Sequence, residues 1–188
     1  LTNLDTQYGD QEIIYANRRR LTYKSFHDRV ARLFNVLSSM SVSAGDTVAV
    51  LDWDSHRYLE CFFAIPMLGA VLHTVNIRLS PEQILYTMNH ASDNVVLIHE
   101  DFLPMAEKIE NRIETVNDWI LLTDSTKNLE SSISFYGEYE ELLEDSNNRI
   151  EVPEFDENTR ATTFYTTGTT GDPKGVCFSH RQLMIHTM

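Results

Sequence analysis

A loop of small and hydroxyl-bearing residues, 165–175, holds the residue types of this 188-residue chain that are best suited to chemistry. It reads Tyr-Thr-Thr-Gly-Thr-Thr-Gly-Asp-Pro-Lys-Gly. Glycine allows several backbone N–H groups to converge on one ligand, threonine hydroxyls add donors, and Lys174 supplies a positive charge. Together these groups are typical of a cradle for a polyphosphate. The β-branched and aromatic residues 161–165 and the apolar residues 176–178 predict a strand on each side of the loop.

Two better-known phosphate-binding motifs do not fit this loop. The common P-loop ends in Gly-Lys-Ser/Thr and opens directly into a helix, whereas here Lys174 follows Pro173 and a strand comes next. The dinucleotide fingerprint needs the order G-x-G-x-x-G, but the glycines stand at 168, 171 and 175. A plain surface turn is the remaining alternative, and the run of threonine and glycine before Asp172 argues against it.

Other catalytic chemistries find little support in the residue pattern. None of the seven histidines pairs with another at i and i+4, and His180 and His186 would lie about 240° apart around a helix. We therefore interpret the histidines as structural. The chain has no G-x-S-x-G sequence, so a serine hydrolase has no nucleophile position.

Two further groups of residues have a functional and a structural interpretation. Asn76 and Arg78 could contact a ligand, but we expect them to organise the turn before a helix. The aromatic residues Tyr58, Phe62 and Phe63 could line an acyl pocket, but their helical spacing favours a place in the core.

Alternating strand and helix patterns predict an α/β fold. The predicted strands are short and apolar without polar alternation, which favours a mostly parallel sheet, doubly wound with helices on both faces. Ser80 and Ser179, each followed three residues later by glutamine, predict helix N-termini. An acidic segment, about 138–158, is interpreted as a solvated helix and linker. The predicted strands are 48–53, 70–75, 95–99, 119–123, 161–165 and 176–178, and the predicted helices include 22–40 and about 102–116.

Composition and charge narrow the classes of partner. Hydrophobic residues make up 42% and charged residues 23% of the chain, which is ordinary globular usage. The formal net charge of −13 has the wrong sign for nucleic acid or an anionic membrane. The longest apolar run, 61–72, is too short to cross a bilayer, since a spanning helix needs about 20 residues. Cys61 and Cys177 are expected to act as small hydrophobic residues in a reducing cytoplasm.

Residues 165–179 resemble the phosphate-loop signature of the adenylate-forming, AMP-binding enzymes. Segments 21–23, 45–50 and 69–71 are similar to segments of the same superfamily, and 72–83 most resembles medium- and long-chain fatty acid:CoA ligases. Nearly the whole chain is covered. The resemblance implies that residues 1–188 form the N-terminal part of an AMP-binding domain, because the later ribose-binding and C-terminal lysine elements of the family are not among them.

The resemblance also implies an activity and a set of site residues. The activity is a two-step reaction in which a fatty acid and Mg-ATP give acyl-AMP, and coenzyme A then receives the acyl group. Lys174 would anchor the loop and take part in catalysis, and the Thr166 hydroxyl would contact Mg²⁺. The residues expected around the β- and γ-phosphates are Thr166, Thr167, Gly168, Thr169, Thr170 and Gly171.

Alternatives stay open at this point. The acid could instead be an aryl acid or an amino acid, because the acid and coenzyme A sites are expected beyond Met188. A non-catalytic nucleotide-binding module is the second alternative. We expect small molecules as ligands and a homodimer as the assembly, but the isolated chain is expected to lack ligase activity.

Overall fold

The computed structural model describes residues 8–125, 129–167 and 171–188, which form an α/β fold. Within these ranges a seven-stranded sheet has the order β7-β6-β5-β3-β4-β8-β9. Its strands are parallel except β9, which runs antiparallel to β8. The sheet strands are β3 Thr47–Leu51, β4 Val71–Thr74, β5 Asp93–His99, β6 Asp118–Leu122, β7 Gly137–Glu138, β8 Arg160–Thr166 and β9 Lys174–Ser179.

Helices cover both faces of this sheet, as predicted for a doubly wound fold. Helices α1, α2 and α5 pack on one face around Leu33, Cys61 and Tyr139, while α3 and α4 pack on the other around Ile84 and Leu103. The helices are α1 Tyr23–Ser39, α2 His56–Met67, α3 Pro81–Ala91, α4 Leu103–Ala106, α5 Tyr139–Asp145 and α6 His180–Thr187. Of the helices in the described part of the chain, none has both the length and the apolar character needed to cross a bilayer.

The predicted helix N-termini are confirmed. The Ser80 side chain accepts a hydrogen bond from Gln83 N, and the Gln83 side chain returns one to the Ser80 backbone. Ser179 and Gln182 make the same reciprocal pair at the start of α6. Helix α2 ends at Met67, just before Gly69, whose φ of +74° favours glycine.

Two predicted elements differ in the structure. The strand expected over 48–53 ends at Leu51, because the Asp52 side chain accepts hydrogen bonds from the Trp53 N–H and the Ser55 hydroxyl and so turns the chain. The helix expected over about 102–116 is broken into α4 and two 3₁₀ turns. Of residues 107–112 only Ile109 is buried, so packing does not sustain a regular helix there.

Two predictions about apolar residues are wrong. Of the three aromatic residues expected in the core, Tyr58 is partly buried against it, but Phe62 and Phe63 are 42% and 38% exposed. Cys61 is buried as expected, whereas Cys177 is exposed on β9, the strand at the edge of the sheet.

Three features of the fold were not predicted in detail. A separate antiparallel hairpin of β1 Glu12–Tyr15 and β2 Arg19–Thr22 precedes α1. The two-residue strand β7 borders the sheet next to β6. The acidic segment 138–158 opens with α5, which buries Tyr139 and Leu143, and its role as a linker stays a prediction.

Candidate functional site

The candidate phosphate loop joins β8 to β9, which confirms the predicted strand-loop-strand arrangement. Strand β9 begins at Lys174, two residues earlier than expected, so Lys174 pairs directly with Thr166 across the hairpin. Of the predicted ligand residues, Thr166, Thr167, Gly171 and Lys174 are described. Gly168, Thr169 and Thr170 lie outside the described residues.

The loop lies at the carboxyl edge of the parallel strands. Strand β8 runs parallel to β4, with Thr74 opposite Phe164, so both strands end at the same edge. In open α/β sheets, ligands bind at this edge. Asn76 follows β4 there, and its side chain accepts a hydrogen bond of 3.0 Å from Arg78 N, which confirms its predicted role in the turn.

The described polar side chains of the loop are exposed to solvent. Thr166, Thr167 and Lys174 are exposed, and within the described ranges neither the Thr166 hydroxyl nor the Lys174 ammonium has a protein partner. Gly171 has a φ of +98°, a conformation that residues with a Cβ rarely adopt. An anionic ligand could therefore use these donors without displacing a protein contact.

The residue before the loop, Tyr165, is held by side chains from other elements. Its hydroxyl forms a hydrogen bond of 2.7 Å with His90 Nδ1, and its ring lies 5.2 Å from the His73 ring, measured between centroids. His73 Nδ1 is 2.8 Å from an Asp93 carboxylate oxygen, and both side chains are buried. Burial raises the pKa of Tyr165 to about 12, so the phenol is neutral at physiological pH. Sequence reasoning missed this cluster, because its members come from four separate elements.

The metal prediction rests on one residue. No group of three or more histidine, cysteine, aspartate or glutamate side chains in the described ranges is arranged to hold a metal ion. Magnesium, however, retains several waters and commonly binds through the phosphates of its nucleotide, with few protein ligands. An exposed Thr166 hydroxyl beside Lys174 fits that kind of contact.

A second cluster of charged groups lies on the opposite side of the sheet from α3. The Glu60 carboxylate is fully buried and accepts hydrogen bonds from Arg29 Nε at 2.7 Å and from the Tyr139 hydroxyl at 2.6 Å. Arg29 also donates to Glu140, which lies near His56. These contacts join α1, α2 and α5, which indicates a structural role.

Comparison with known proteins places this chain in a family. The model of the AMP-binding enzyme family matches residues 2–188. The chain is 41% identical to a long-chain-fatty-acid–CoA ligase of Thermus thermophilus over 169 residues, which is 90% of the chain and 30% of the relative. It is 36% identical to a medium-chain-fatty-acid–CoA ligase of Ectopseudomonas oleovorans, covering 90% of the chain and 31% of the relative.

A solved structure supports the same assignment. The chain superposes on a Mycobacterium tuberculosis fatty acyl CoA synthetase with a TM-score of 0.73 and 25% identity. The superposition covers 86% of the chain and 30% of that structure. The chain thus spans about a third of the length of the curated relatives it matches.

Proposed function

Because the chain belongs to the AMP-binding enzyme family, we propose that it is the N-terminal portion of an ATP-dependent, AMP-forming acyl-CoA synthetase. The acid is a medium- or long-chain fatty acid, and the products are acyl-CoA, AMP and pyrophosphate. The identities of 41% and 36% to two fatty-acid–CoA ligases support this choice of acid.

The pairing of Thr166 with Lys174 is the observation that carries the proposal. Because cross-strand partners project on the same side of a hairpin, the Thr166 hydroxyl and the Lys174 ammonium lie on the same side at the mouth of the loop. When a carboxylate attacks the α-phosphorus of ATP, negative charge grows on the departing pyrophosphate. Donors held in place by the fold stabilise that charge without reorganising.

Each predicted site residue has a role in this proposal. Lys174 neutralises charge on the phosphates and anchors the end of the loop, and the Thr166 hydroxyl contacts Mg²⁺ that arrives with ATP. Coenzyme A is the second substrate and takes the acyl group from acyl-AMP. The residues that surround the β- and γ-phosphates are Thr166, Thr167, Gly168, Thr169, Thr170 and Gly171.

A substrate screen of the full-length enzyme tests the proposal. AMP and acyl-CoA formation are measured with ATP, coenzyme A and a panel of fatty acids, aryl acids and amino acids. We expect both products with fatty acids of medium or long chain. Turnover restricted to aryl or amino acids would favour a different adenylating enzyme, and ATP binding without AMP formation would favour a non-catalytic module. The isolated residues 1–188 are expected to give no acyl-CoA.

We also propose that the enzyme is cytoplasmic and forms a homodimer. Free thiols at Cys61 and Cys177 suit a reducing compartment. The exposed apolar side chains of Leu59, Phe62 and Phe63 on α2 form a surface of the kind that drives association. Light scattering of the full-length enzyme should give the mass of a dimer, whereas a monomer mass at high concentration would contradict this assembly.

A further inference from the structure

Tyr165 connects the phosphate loop to the rest of the sheet. It is the residue of β8 directly before Thr166, and its side chain is 5% exposed. The phenol hydroxyl meets His90 Nδ1 at 2.7 Å, and the two rings lie edge to face with centroids 5.7 Å apart. His90 stands in the last turn of α3, a helix whose start is fixed by the Ser80 capping box.

A second histidine also contacts the Tyr165 ring. The His73 ring on β4 lies 5.2 Å from the Tyr165 ring, between centroids. His73 is itself held by the Asp93 carboxylate at 2.8 Å, with the two side chains 1% and 0% exposed. The His73 ring therefore has little freedom to move away from Tyr165.

The far end of the loop also touches the Tyr165 ring. Gly175 is the backbone partner of Tyr165 in the β8–β9 hairpin. A Cβ added at Gly175 would lie 3.3 Å from the Tyr165 Cε1 atom, tighter than ordinary van der Waals contact. The side chain of the residue before Thr166 thus lies against the residue after Lys174.

We propose that Tyr165 is a positioning residue for ATP, and that its hydrogen bond to His90 fixes the orientation of Thr166 and Lys174 toward the phosphates. The inference rests on the proposed function, because it assigns to Tyr165 the placement of the donors that act in adenylation. The contacts of the Tyr165 ring are packing contacts, whereas the hydrogen bond from its hydroxyl to His90 fixes how the ring is oriented. Removing the hydroxyl should therefore impair adenylation more than it impairs folding.

The test uses Tyr165→Phe, His90→Leu and the double variant in the full-length enzyme. Tyr86→Phe is the matched control, since Tyr86 contacts the His90 ring but has no hydrogen bond from its hydroxyl to a described residue. Two half-reactions are measured for each variant: acyl-AMP formation from ATP, with kcat and KM for ATP, and acyl-CoA formation from supplied acyl-AMP. Circular dichroism and the thermal midpoint monitor the fold.

We expect each single variant to lower kcat for acyl-AMP formation about two- to tenfold, the effect of one lost hydrogen bond. The second half-reaction should keep its rate, and the double variant should lose no more than either single variant, because both changes remove the same bond. Rescue by His90→Gln, whose amide can still bond the phenol, would support the proposal further.

Two outcomes would overturn the inference while leaving the proposed function intact. One is a wild-type rate of acyl-AMP formation in both single variants, and the other is equal loss in both half-reactions with a lowered thermal midpoint. If the wild-type enzyme itself formed no acyl-AMP from any fatty acid, the proposed function would fail and the positioning role would fail with it.

Discussion

The Glu60 side chain shows how single residues hold three helices together. It is 0% exposed, and its two oxygens accept hydrogen bonds from Arg29 and from the Tyr139 hydroxyl. Burial and the nearby Glu60 charge raise the pKa of Tyr139 well above its ordinary value, so this phenol stays a donor. A buried charge of this kind is tolerated only while its partners remain in place.

Replacing Glu60 with glutamine should therefore destabilise the fold. Removing one partner of a buried ion pair costs about 3–5 kcal/mol. We expect a loss near the lower end of that range, because Arg29 keeps its pair with Glu140. Glu12→Gln is the matched control, since the Glu12–Arg20 pair is largely exposed and such pairs contribute about 0–1 kcal/mol. Urea unfolding measures the free energy of unfolding of both variants. An equal loss of unfolding free energy in the two variants would contradict a special role for the buried pair.

At the same scale, the sequence predicted candidate site residues that are close together along the chain. It did not predict contacts between residues that only the fold brings together. Thr166 and Lys174 belong to one contiguous motif, so their types and spacing were enough to predict a phosphate loop. The contact between Tyr165 and His90 depends on the packing of β8 against α3, which residue spacing does not encode. The same holds for the pair of His73 and Asp93.

At the scale of elements, local hydrogen bonding decides where helices start. Thr22, Ser55, Ser80 and Ser179 each accept a backbone hydrogen bond at a helix N-terminus. Such caps are visible in sequence because they involve residues three apart, and both predicted capping boxes are confirmed. The hairpin of β1 and β2 was missed because its strands have four residues each and only one of these residues, Leu21, is buried.

Ser80→Ala should lower the stability of the chain by about 1 kcal/mol, since it removes the acceptor for Gln83 N at the start of α3. Ser38→Ala makes the same chemical change at an exposed position within α1, where alanine favours a helix. We expect that control to be neutral or slightly stabilising. Chemical denaturation compares the two, and a Ser80→Ala variant as stable as wild type would contradict the capping role.

At the scale of the whole molecule, the sheet order brings distant segments together. Strand β8 lies beside β4 although about 90 residues separate them, and this adjacency places the candidate phosphate loop at the carboxyl edge of the sheet. The α/β class followed from alternating patterns, but the order of the strands did not, because it depends on long-range packing between strands. The Arg29–Glu140 pair adds a further long-range tie, between α1 and α5.

The Arg29–Glu140 ion pair should make the stability of the fold depend on pH. Burial alone would raise the pKa of Glu140, but hydrogen bonds with His56 and Arg29 and the charges of Arg29 and Arg19 hold it well below its ordinary value of 4.5. A carboxylate with a lowered folded-state pKa stabilises the fold above its unfolded-state pKa and loses that contribution as the pH falls further.

Comparison of wild type with Glu140→Gln isolates this contribution. We expect the difference in unfolding free energy to be constant above about pH 5.5 and to shrink as the pH falls below about 4.5. Urea unfolding at a series of pH values measures it. A difference that stayed constant down to about pH 3 would contradict the assignment of the low pKa to Glu140.

Lys174 offers the most direct test of whether the loop between β8 and β9 holds the phosphates of ATP during adenylation. In the full-length enzyme, Lys174→Ala should slow acyl-AMP formation about ten- to a hundredfold, since a hydrogen bond to a charged group contributes about 1.5–3 kcal/mol. Acyl-CoA formation from supplied acyl-AMP should stay close to the wild-type rate, because pyrophosphate has already left. Lys24→Ala, which removes an exposed lysine at the start of α1, is the matched control and should affect neither step. Equal loss in both half-reactions of Lys174→Ala, or no loss in the first, would contradict the assignment of this loop as the phosphate site.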